Sequence, residues 1–359
     1  MKAAVCREFG APLSVEEITL NPPKRGQVEV KLEACAICHS DIFAMDGAWG
    51  GNLPAVYGHE AAGRVSAVGE GVSDYKVGDP VLVTLLRSCG TCPTCAQGHP
   101  VNCEASYDRM GDSPIRLDGG EVAEHGIQTG AFAEAVVVDQ SQLAALPEDI
   151  AMDVASLLSC GVITGLGAVV NTAQMRPGAT CAIVGAGGVG LNSIQGAKIA
   201  GATTIIALDL EEGKLEAAKA FGATHGVNVR DEDMVDQIKA LTGGRGVDFV
   251  FVTVGAVQAF EGATAYLAPR GQVIFVGMPP SGEFAKYEPV MITALSHGIR
   301  GSLMGETVLK RDIPWLIEQY RQGNLMLDEL ITNRYSLDQI NEAIADTKAG
   351  KSLRNVIVF

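Results

Sequence analysis

The sequence has no uninterrupted apolar run near the roughly 20 residues that a membrane-spanning helix needs. Basic residues are also scarce: 27 lysines and arginines stand against 42 aspartates and glutamates, which gives a net charge of −15 and a pI of about 4.8. Because an acidic surface repels phosphate backbones and anionic lipids, we expect neither nucleic-acid nor membrane partners. No apolar stretch resembling a signal peptide follows Met1, and we therefore expect a cytoplasmic protein.

Internal repeats and low-complexity segments are absent as well. The chain has 359 residues, of which 47% are hydrophobic and 19% charged, a composition typical of a globular protein with two domains. Stable disulfides are uncommon in a reducing cytoplasm, so the nine cysteines need another explanation. Their odd number, and the presence of four within fifteen residues, indicate metal binding.

The pattern of predicted secondary structure changes near Ala151. Before it, short β-like runs are broken by glycine and proline, at Gln27–Glu33, Ala61–Val68, Asp79–Leu85 and Ala133–Val138. After it, the predicted strands are Thr180–Val184, Thr204–Leu208, Val247–Thr253, Gln272–Val276 and a closing Asn355–Phe359. The predicted helices are Met152–Leu158, Gly188–Ala200, Glu211–Phe221, Gln258–Leu267, Ile313–Gln322 and Leu337–Lys348. A β-rich part followed by an α/β part with a doubly wound parallel sheet is the predicted architecture, and the last two helices and closing strand fit either part.

A glycine-rich loop joins the first predicted strand of the α/β part to its helix. The run Gly185-Ala186-Gly187-Gly188-Val189-Gly190 carries the G-x-G-x-x-G fingerprint of dinucleotide-binding Rossmann domains. The first glycine permits a tight turn, the second lets the backbone approach the pyrophosphate, and the third lets helix and strand pack closely. The free N–H groups at the start of the helix attract the anion.

Asp209 ends the next predicted strand, nineteen residues after Gly190. A carboxylate at this distance can accept hydrogen bonds from the ribose hydroxyls of a dinucleotide. It would repel a 2′-phosphate, and Leu210 beside it is not an arginine that would bind one. The sequence therefore predicts NAD as cofactor, in preference to NADP.

Two groups of residues are candidates for metal ligands. The first is a short loop with the cysteines Cys89, Cys92, Cys95 and Cys103. Four thiolates at this spacing can enclose one tetrahedral structural zinc, and an iron–sulfur cluster is the alternative. The second is dispersed along the chain and consists of Cys38, His59, Glu60 and Cys160. Two thiolates and an imidazole would leave one coordination position open, as catalytic zinc sites do, although spacing alone does not establish this grouping.

At these residues the sequence strongly resembles the zinc-containing medium-chain alcohol dehydrogenases. The resemblance covers almost the whole chain, and its motifs occur in the family's order: the Cys38 segment, Gly58-His59-Glu60, the four-cysteine loop, Cys160, the glycine fingerprint, Asp209, Val276-Gly277-Met278-Pro279-Pro280 and Leu353-Arg354. It implies a β-rich GroES-like catalytic domain made of residues 1–161 and 303–359. An NAD-binding Rossmann domain, residues 162–302, would be inserted between them.

The resemblance also implies roles for individual residues. It assigns a catalytic zinc to Cys38, His59 and Cys160, with Glu60 as an occasional ligand, and a structural zinc to the four-cysteine loop, which makes two zinc ions per chain. Asp41 would orient His59, and Ser40 would hydrogen-bond the substrate oxygen and begin a proton relay.

The remaining implied contacts concern the cofactor and the substrate. Around NAD, the resemblance places His39 and Arg354 near the pyrophosphate, Thr164 near the nicotinamide and Lys214 beside the adenosine ribose. For the pocket beyond the zinc it names Trp49, Leu85, Phe132 and Met278, an apolar set that suits primary alcohols, aromatic or of medium chain length, and their aldehydes. Phe43 departs from the family pattern, because many relatives have a histidine there that ends the proton relay.

Three alternatives remain open from the sequence. Relatives that oxidise a glutathione–formaldehyde adduct anchor a carboxylate with arginine, and Arg109 and Arg116 lie in the corresponding loop without matching it convincingly. Polyol dehydrogenases usually lack a cysteine at the Cys160 position, and a non-enzymatic sensor would not need an intact Ser40 and ligand set. The long segment Glu104–Gly130 resembles dimeric members of the family, so a homodimer is expected and a tetramer is the alternative.

Overall fold

The computed structural model describes all 359 residues. Its strands are β1 (Lys2–Cys6), β2 (Ser14–Leu20), β3 (Gln27–Ala36), β4 (Ala55–Val56), β5 (Glu60–Val68), β6 (Pro80–Val83), β7 (Ile115–Leu117), β8 (Glu124–His125), β9 (Ala135–Asp139), β10 (Leu143–Ala145), β11 (Thr180–Val184), β12 (Thr204–Asp209), β13 (His225–Asn228), β14 (Val247–Val252), β15 (Leu267–Phe275), β16 (Gly298–Gly301), β17 (Ile331–Tyr335) and β18 (Arg354–Val358). Its α-helices are α1 (His39–Met45), α2 (Pro93–Ala96), α3 (Met152–Ser156), α4 (Gly161–Gly167), α5 (Gly188–Ile199), α6 (Glu212–Ala220), α7 (Met234–Ala240), α8 (Val257–Gly262), α9 (Pro289–Ala294), α10 (Leu309–Arg321) and α11 (Ile340–Lys348).

The chain forms two compact units. The first contains residues 1–160, 308–318 and 327–359, and the second contains residues 161–307 and 319–326. These limits differ from the boundaries expected from the sequence at residue 161, at 303–307 and at 319–326.

The first unit is built on two β-sheets. One has the strand order β7-β2-β1-β4-β8. The other has the order β10-β6-β5-β3-β18-β17, and β9 also pairs with β3. Alternating buried apolar residues of β3, such as Val28, Val30 and Leu32, contribute to the core, as the period-two pattern of a half-buried strand requires. Because β18 pairs antiparallel with β3, the last strand of the chain belongs to the same sheet as a strand near its beginning.

The second unit contains one parallel sheet of six strands in the order β13-β12-β11-β14-β15-β16. This order reverses between β11 and β14, as it does in dinucleotide-binding Rossmann folds. β11 lies beside that reversal, and the loop that follows it carries the glycine fingerprint. Central strands such as β11 are buried on nearly every residue, which explains their uninterrupted apolar sequence.

Two features of the second unit differ from the sequence-based expectation. The helix predicted at Gln258–Leu267 ends at Gly262, because Leu267 begins β15 and the Tyr266 carbonyl accepts a hydrogen bond from the Val247 N–H. The strands β13 and β16 and the helices α4, α7 and α9 were not predicted. In β13 only Val227 is buried, so no apolar run marks the strand.

No single helix of the protein is long and apolar enough to cross a membrane, although one bent pair, Met152–Ser159 with Gly161–Thr172, meets the length and composition criteria.

Candidate functional site

The turn between β3 and α1 places the first candidate ligand. Cys38 is the residue that precedes α1, and its extended backbone starts the helix. Asp41 lies in the first turn of α1 with no exposed surface, where a carboxylate also interacts favourably with the helix N-terminus. Cys38 and Asp41 are therefore carried by the same short helix.

Gly58 brings His59 against Asp41. Its φ is 92°, and a Cβ at this position would lie 2.6 Å from the backbone nitrogen of Phe132, so only glycine fits. The Asp41 Oδ1 accepts hydrogen bonds from the Gly58 N–H and from His59 Nδ1, each at 2.9 Å. This arrangement fixes the ring and leaves the buried His59 Nε2 without a protein partner.

Cys160 is positioned by two polar residues that no sequence pattern singled out. The Ser159 hydroxyl donates to the carbonyl of Ala61 in β5 at 3.0 Å, and the Thr84 hydroxyl donates to the carbonyl of Ser159 at 2.6 Å. Both side chains are fully buried. The only feature of the sequence that could have indicated these roles is the position of Thr84 directly after the apolar run Pro80–Val83. A threonine after an apolar run is too common to indicate a functional site.

The dispersed candidates come together in the first unit. One ligand atom from each of Cys38, His59, Glu60 and Cys160 lies within 4.8 Å of the others. A hydrogen bond from Cys160 holds the pKa of the Cys38 thiol well below its ordinary value. Burial alone would raise this pKa, and His59 helps Cys160 to lower it. Two sulfurs and an unpartnered imidazole nitrogen at this separation fit a zinc ion, which prefers nitrogen and sulfur ligands.

Glu60 is shared between this cluster and Arg354. The Arg354 Nη2 donates to Glu60 Oε2 at 2.5 Å, while Glu60 Oε1 is buried and has no hydrogen-bond partner. Burial raises the pKa of Glu60, and the positive charge of Arg354 counteracts this rise. From the sequence, Arg354 is expected near the cofactor pyrophosphate. The structure places its guanidinium in a buried ion pair with Glu60, and contact with a pyrophosphate stays a prediction.

The four-cysteine loop forms the second metal-ligand cluster. The sulfurs of Cys89, Cys92, Cys95 and Cys103 lie within 4.8 Å of one another. Cys92 caps the short helix α2, which returns the chain so that Cys95 faces the other sulfurs. All four are free thiols, without disulfides between them.

Backbone N–H groups point at the sulfurs of this loop. Cys89 Sγ accepts from the N–H groups of Thr91 at 3.4 Å and Cys92 at 3.3 Å, which lowers its pKa to about 6. Cys92 Sγ accepts from the N–H groups of Cys95 and Glu104, both at 3.4 Å, and its pKa is also lowered. Such donors stabilise thiolates, the form in which cysteine binds a metal, so this loop also fits a zinc ion.

The glycine fingerprint of the second unit has the shape that its three positions require. A Cβ on Gly190 would lie 1.8 Å from the carbonyl oxygen of Gly185, so this glycine allows helix α5 to pack against the turn. A Cβ on Gly187 would meet nothing within 4 Å, which leaves open space in front of the helix. Gly188 and Val189 begin that helix. The loop therefore has room for a pyrophosphate where the sequence predicts it.

Asp209 is fixed beside the glycine loop. Its Oδ2 accepts from the Ala186 N–H at 2.8 Å, and its Oδ1 accepts from the N–H groups of Leu210 at 2.8 Å and Glu211 at 3.1 Å. The contact with Ala186 was not anticipated. It ties the end of β12 to the fingerprint. Oδ2, which accepts one hydrogen bond, retains a lone pair for a ribose hydroxyl.

The other expected cofactor residues occupy varied environments. His39 is exposed and Ser40 is half-buried in the first turn of α1. In the second unit, Thr164 is buried on α4 and its hydroxyl donates to the sulfur of Met304 at 3.5 Å, whereas Lys214 is half-buried on α6. Their contacts with NAD stay predictions.

Four residues were expected to line a substrate pocket. In the first unit, the half-buried Trp49 meets Phe43 edge to face, with ring centroids 5.9 Å apart. Leu85 is half-buried, and Phe132 is fully buried in the core beside Gly58. Met278 belongs to the second unit, where it is 53% exposed.

Comparison with known proteins agrees with this geometry. Residues 24–148 match the alcohol dehydrogenase GroES-like domain, and residues 188–321 match the zinc-binding dehydrogenase domain. An alcohol dehydrogenase zinc-binding domain protein from Burkholderia ambifaria is 35% identical with a TM-score of 0.95, covering 100% of this chain and 98% of the other. Benzyl alcohol dehydrogenase from Acinetobacter calcoaceticus is 31% identical with a TM-score of 0.93, covering 100% and 99%. A zinc-binding dehydrogenase from Sinorhizobium meliloti 1021, bound to NADP, is 27% identical with a TM-score of 0.85, covering 100% and 99%.

Together, the GroES-like sheets, the parallel Rossmann sheet and the two ligand clusters define a zinc-binding dehydrogenase. The chain belongs to the zinc-containing medium-chain alcohol dehydrogenases, a family of oxidoreductases. The expected family and the expected fold class are both confirmed.

The contrast between two fingerprint glycines gives a test of the loop. Gly187→Ala should fold like the wild type, because its Cβ meets no atom, and should weaken dinucleotide binding by filling the open space. Gly190→Ala should lose about 1–3 kcal/mol of unfolding free energy through overpacking against Gly185. Thermal unfolding and calorimetric titration with dinucleotide measure the two effects. Unchanged dinucleotide affinity in Gly187→Ala would show that the pyrophosphate binds elsewhere.

Proposed function

We propose that the protein is an NAD-dependent zinc alcohol dehydrogenase, which reversibly transfers a hydride between a primary alcohol or its aldehyde and NAD. The observation that carries this proposal is the cluster of the half-buried Cys38 with the buried His59 and Cys160, with Asp41 hydrogen-bonded to the histidine. Three ligands of this kind leave a fourth position open for substrate. A purely structural zinc site would need no such opening.

The cluster residues have separate tasks in this proposal. Cys38, His59 and Cys160 would hold a zinc ion, which when bound supplies Lewis-acid polarisation of the alcohol or carbonyl oxygen. Asp41 keeps the Nδ1 of His59 engaged, so that Nε2 is the nitrogen directed into the cluster. Ser40 stands on the first turn of α1, beside Cys38 in sequence, and its hydroxyl would pass the substrate proton outward.

The next step of proton transfer differs from that in many relatives. Phe43 occupies the position where those relatives have histidine, and in this protein its ring packs against Trp49. Since a phenyl ring accepts no proton, a proton that leaves Ser40 would go to water, to the cofactor ribose or to another base.

The substrate that we propose is a primary alcohol with an apolar, aromatic or medium-length chain. Phe43 and Trp49 form an aromatic pair close in sequence to Cys38, and benzyl alcohol dehydrogenase is among the similar structures. A glutathione adduct is less favoured because both candidate arginines are engaged. Arg109 Nε lies 3.4 Å from the buried Glu124 carboxylate, and Arg116 Nη1 donates to the carbonyls of Ser113 and Ile115.

The cofactor that we propose is NAD. Asp209 and the following Glu211 and Glu212 put negative charge at the end of β12, and the first basic residue after Asp209 is Lys214. A 2′-phosphate would be repelled there, since like charges at short range oppose binding. The NADP-bound structure from Sinorhizobium meliloti shows that both cofactors occur among similar proteins, so this choice needs a direct test.

We also propose two zinc ions per chain, a homodimer as the assembly, with a tetramer as the alternative, and a cytoplasmic location. The long segment 104–130 supports the dimer, and the acidic composition supports small-molecule substrates over nucleic-acid or membrane partners. Light scattering of the purified protein measures the assembly.

The function is tested with a panel of alcohols and aldehydes followed by NADH absorbance. We expect oxidation of benzyl alcohol and medium-chain primary alcohols, with weak activity on polyols and on S-(hydroxymethyl)glutathione. Wild-type protein that binds NAD and zinc but turns over no member of the panel would favour a zinc- and dinucleotide-binding sensor.

The role of Ser40 is tested by substitution. Ser40→Ala should retain metal and NAD yet lose most alcohol oxidation, whereas Ser40→Thr, which keeps the hydroxyl, should retain that activity. Full activity in Ser40→Ala would remove serine from the proton path.

The two metal sites should be separable. Elemental analysis should give two zinc ions per chain, and mild chelation should abolish activity while the fold persists. Cys92→Ser should lower the thermal midpoint more than it changes the KM of surviving enzyme, because that site supports the loop and not the substrate. Gln97→Ala is the control, since Gln97 is exposed in the same loop and carries no sulfur. One zinc ion per active chain would contradict the proposal.

Cofactor choice should depend on Asp209. Asp209→Gly should weaken NAD binding by about 10- to 100-fold, which corresponds to about 1.5–3 kcal/mol for a charged hydrogen-bond partner. It should also reduce discrimination against NADP, since the repelling carboxylate is gone. Glu216→Gln is a matched control, because it removes a negative charge from an exposed side chain of α6 that is paired with Lys219. A wild-type preference for NADP would refute the role given to Asp209.

A further inference from the structure

Two side chains outside the ligand set flank the four-cysteine loop. Arg87 precedes Cys89 by two residues, and Tyr107 follows Cys103 by four. The guanidinium carbon of Arg87 lies 3.8 Å from the centroid of the Tyr107 ring, which is close for a cation stacked on an aromatic face. The two ends of the metal-binding segment are therefore joined by a stacked pair.

The Tyr107 hydroxyl lies 3.8 Å from Cys103 Sγ, within hydrogen-bonding distance for sulfur. A tyrosine phenol carries its proton at neutral pH. A protonated phenol beside a metal-binding thiolate donates its hydrogen bond to the sulfur.

Cys103 has fewer backbone donors than Cys89 and Cys92. Cys89 Sγ and Cys92 Sγ each accept hydrogen bonds from two backbone N–H groups, and the Thr91 hydroxyl is a further donor to Cys89 Sγ at 3.6 Å. Cys103 Sγ accepts from one, the N–H of Cys89 at 3.3 Å, and Tyr107 supplies its second donor. Because this donor belongs to a side chain, a single substitution can remove it without altering the backbone.

Arg87 holds the phenol in place and strengthens it as a donor. Its Nε is buried and has no hydrogen-bond partner, and the nearest carboxylate oxygen, Asp139 Oδ2, is 3.9 Å away. The guanidinium therefore has two favourable contacts, the ion pair with Asp139 and the stacked ring of Tyr107. Positive charge above the ring withdraws electron density from it, which makes the hydroxyl a better hydrogen-bond donor.

We infer that Tyr107, held by Arg87, is a positioning residue for the metal at the four cysteines, where its phenol donates to the Cys103 thiolate and slows loss of the ion. This inference rests on the proposed zinc at that site. Partners that hydrogen-bond metal ligands commonly change metal affinity about 10- to 100-fold when they are removed. We expect a change of that size in metal retention here.

The test uses full-length protein loaded with cadmium and examined by cadmium NMR. A site of four sulfurs resonates apart from a site of two sulfurs and a nitrogen, so the two clusters are observed separately. Tyr107→Phe should shift only the four-sulfur resonance, and zinc-loaded protein should release the ion from that site about 10- to 100-fold faster to a chromogenic chelator. Arg87→Met should shift the same resonance less, and should add no shift in the Tyr107→Phe background.

Tyr75→Phe is the matched control. Tyr75 is a buried tyrosine of the same unit, and its hydroxyl donates to the Leu143 carbonyl at 2.8 Å, away from both clusters. It should lower the thermal midpoint without moving either resonance. A four-sulfur resonance and a release rate unchanged in Tyr107→Phe would overturn the inference, as would an equal effect of Arg87→Met with and without Tyr107. Wild-type protein with no four-sulfur resonance would refute the metal site itself, irrespective of alcohol oxidation.

Discussion

His59 directly precedes strand β5 and Glu60 is its first residue, and neither has any exposed surface. Much of the first unit is arranged so that these two ionisable side chains can be buried. A buried charge is costly unless it is paired and hydrogen-bonded. Asp41 supplies the partner for His59, and Arg354 supplies the partner for Glu60. After these pairings, His59 Nε2 faces two thiols, and a bound zinc ion is the partner that completes such a set.

Strand pairing explains how residues from distant parts of the chain reach this cluster. Ala36, at the end of β3, pairs with Glu60 at the start of β5 on one side and with Val356 of β18 on the other. Because both neighbours run antiparallel to β3, their first residues lie beside the segment that continues into Cys38. Glu60 and Arg354 are 294 residues apart in sequence and meet at this edge. The closing strand of the chain is thus part of the site and not a peripheral addition to the sheet.

Features that depend on contiguous residues could be predicted from the sequence. The four-cysteine loop and the glycine fingerprint are short, and their spacing carries most of their geometry, so the sequence alone is enough to identify each of them. The strands of the Rossmann sheet with buried apolar runs were predicted for the same reason. Strand β13 was not, since Val227 is its only buried residue and its neighbours are polar or half-buried. The end of the helix at Gly262 was also missed, because pairing of Tyr266 with Val247 outweighs the local pattern.

The second metal cluster shows where sequence patterns stop being informative. The grouping of Cys38, His59 and Cys160 was supplied by family resemblance, because no spacing rule links the residues that directly precede α1, β5 and α4. The residues that position these ligands are even harder to predict from sequence. Thr84 and Ser159 act by donating hydrogen bonds to backbone carbonyls, and buried threonines and serines do this in many places that are not functional sites.

This difference has a physical consequence for assembly of the two sites. The four-cysteine loop is organised by N–H donors within residues 89–104, so its thiolates are stabilised by local turns. The dispersed cluster requires α1, β5, the Ser159 contacts and β18 to be in place together before its ligands converge. The geometry of the dispersed cluster therefore depends on the folding of the whole first unit. The four-cysteine loop depends mainly on its own backbone, to which side chains such as Tyr107 and Arg87 add contacts.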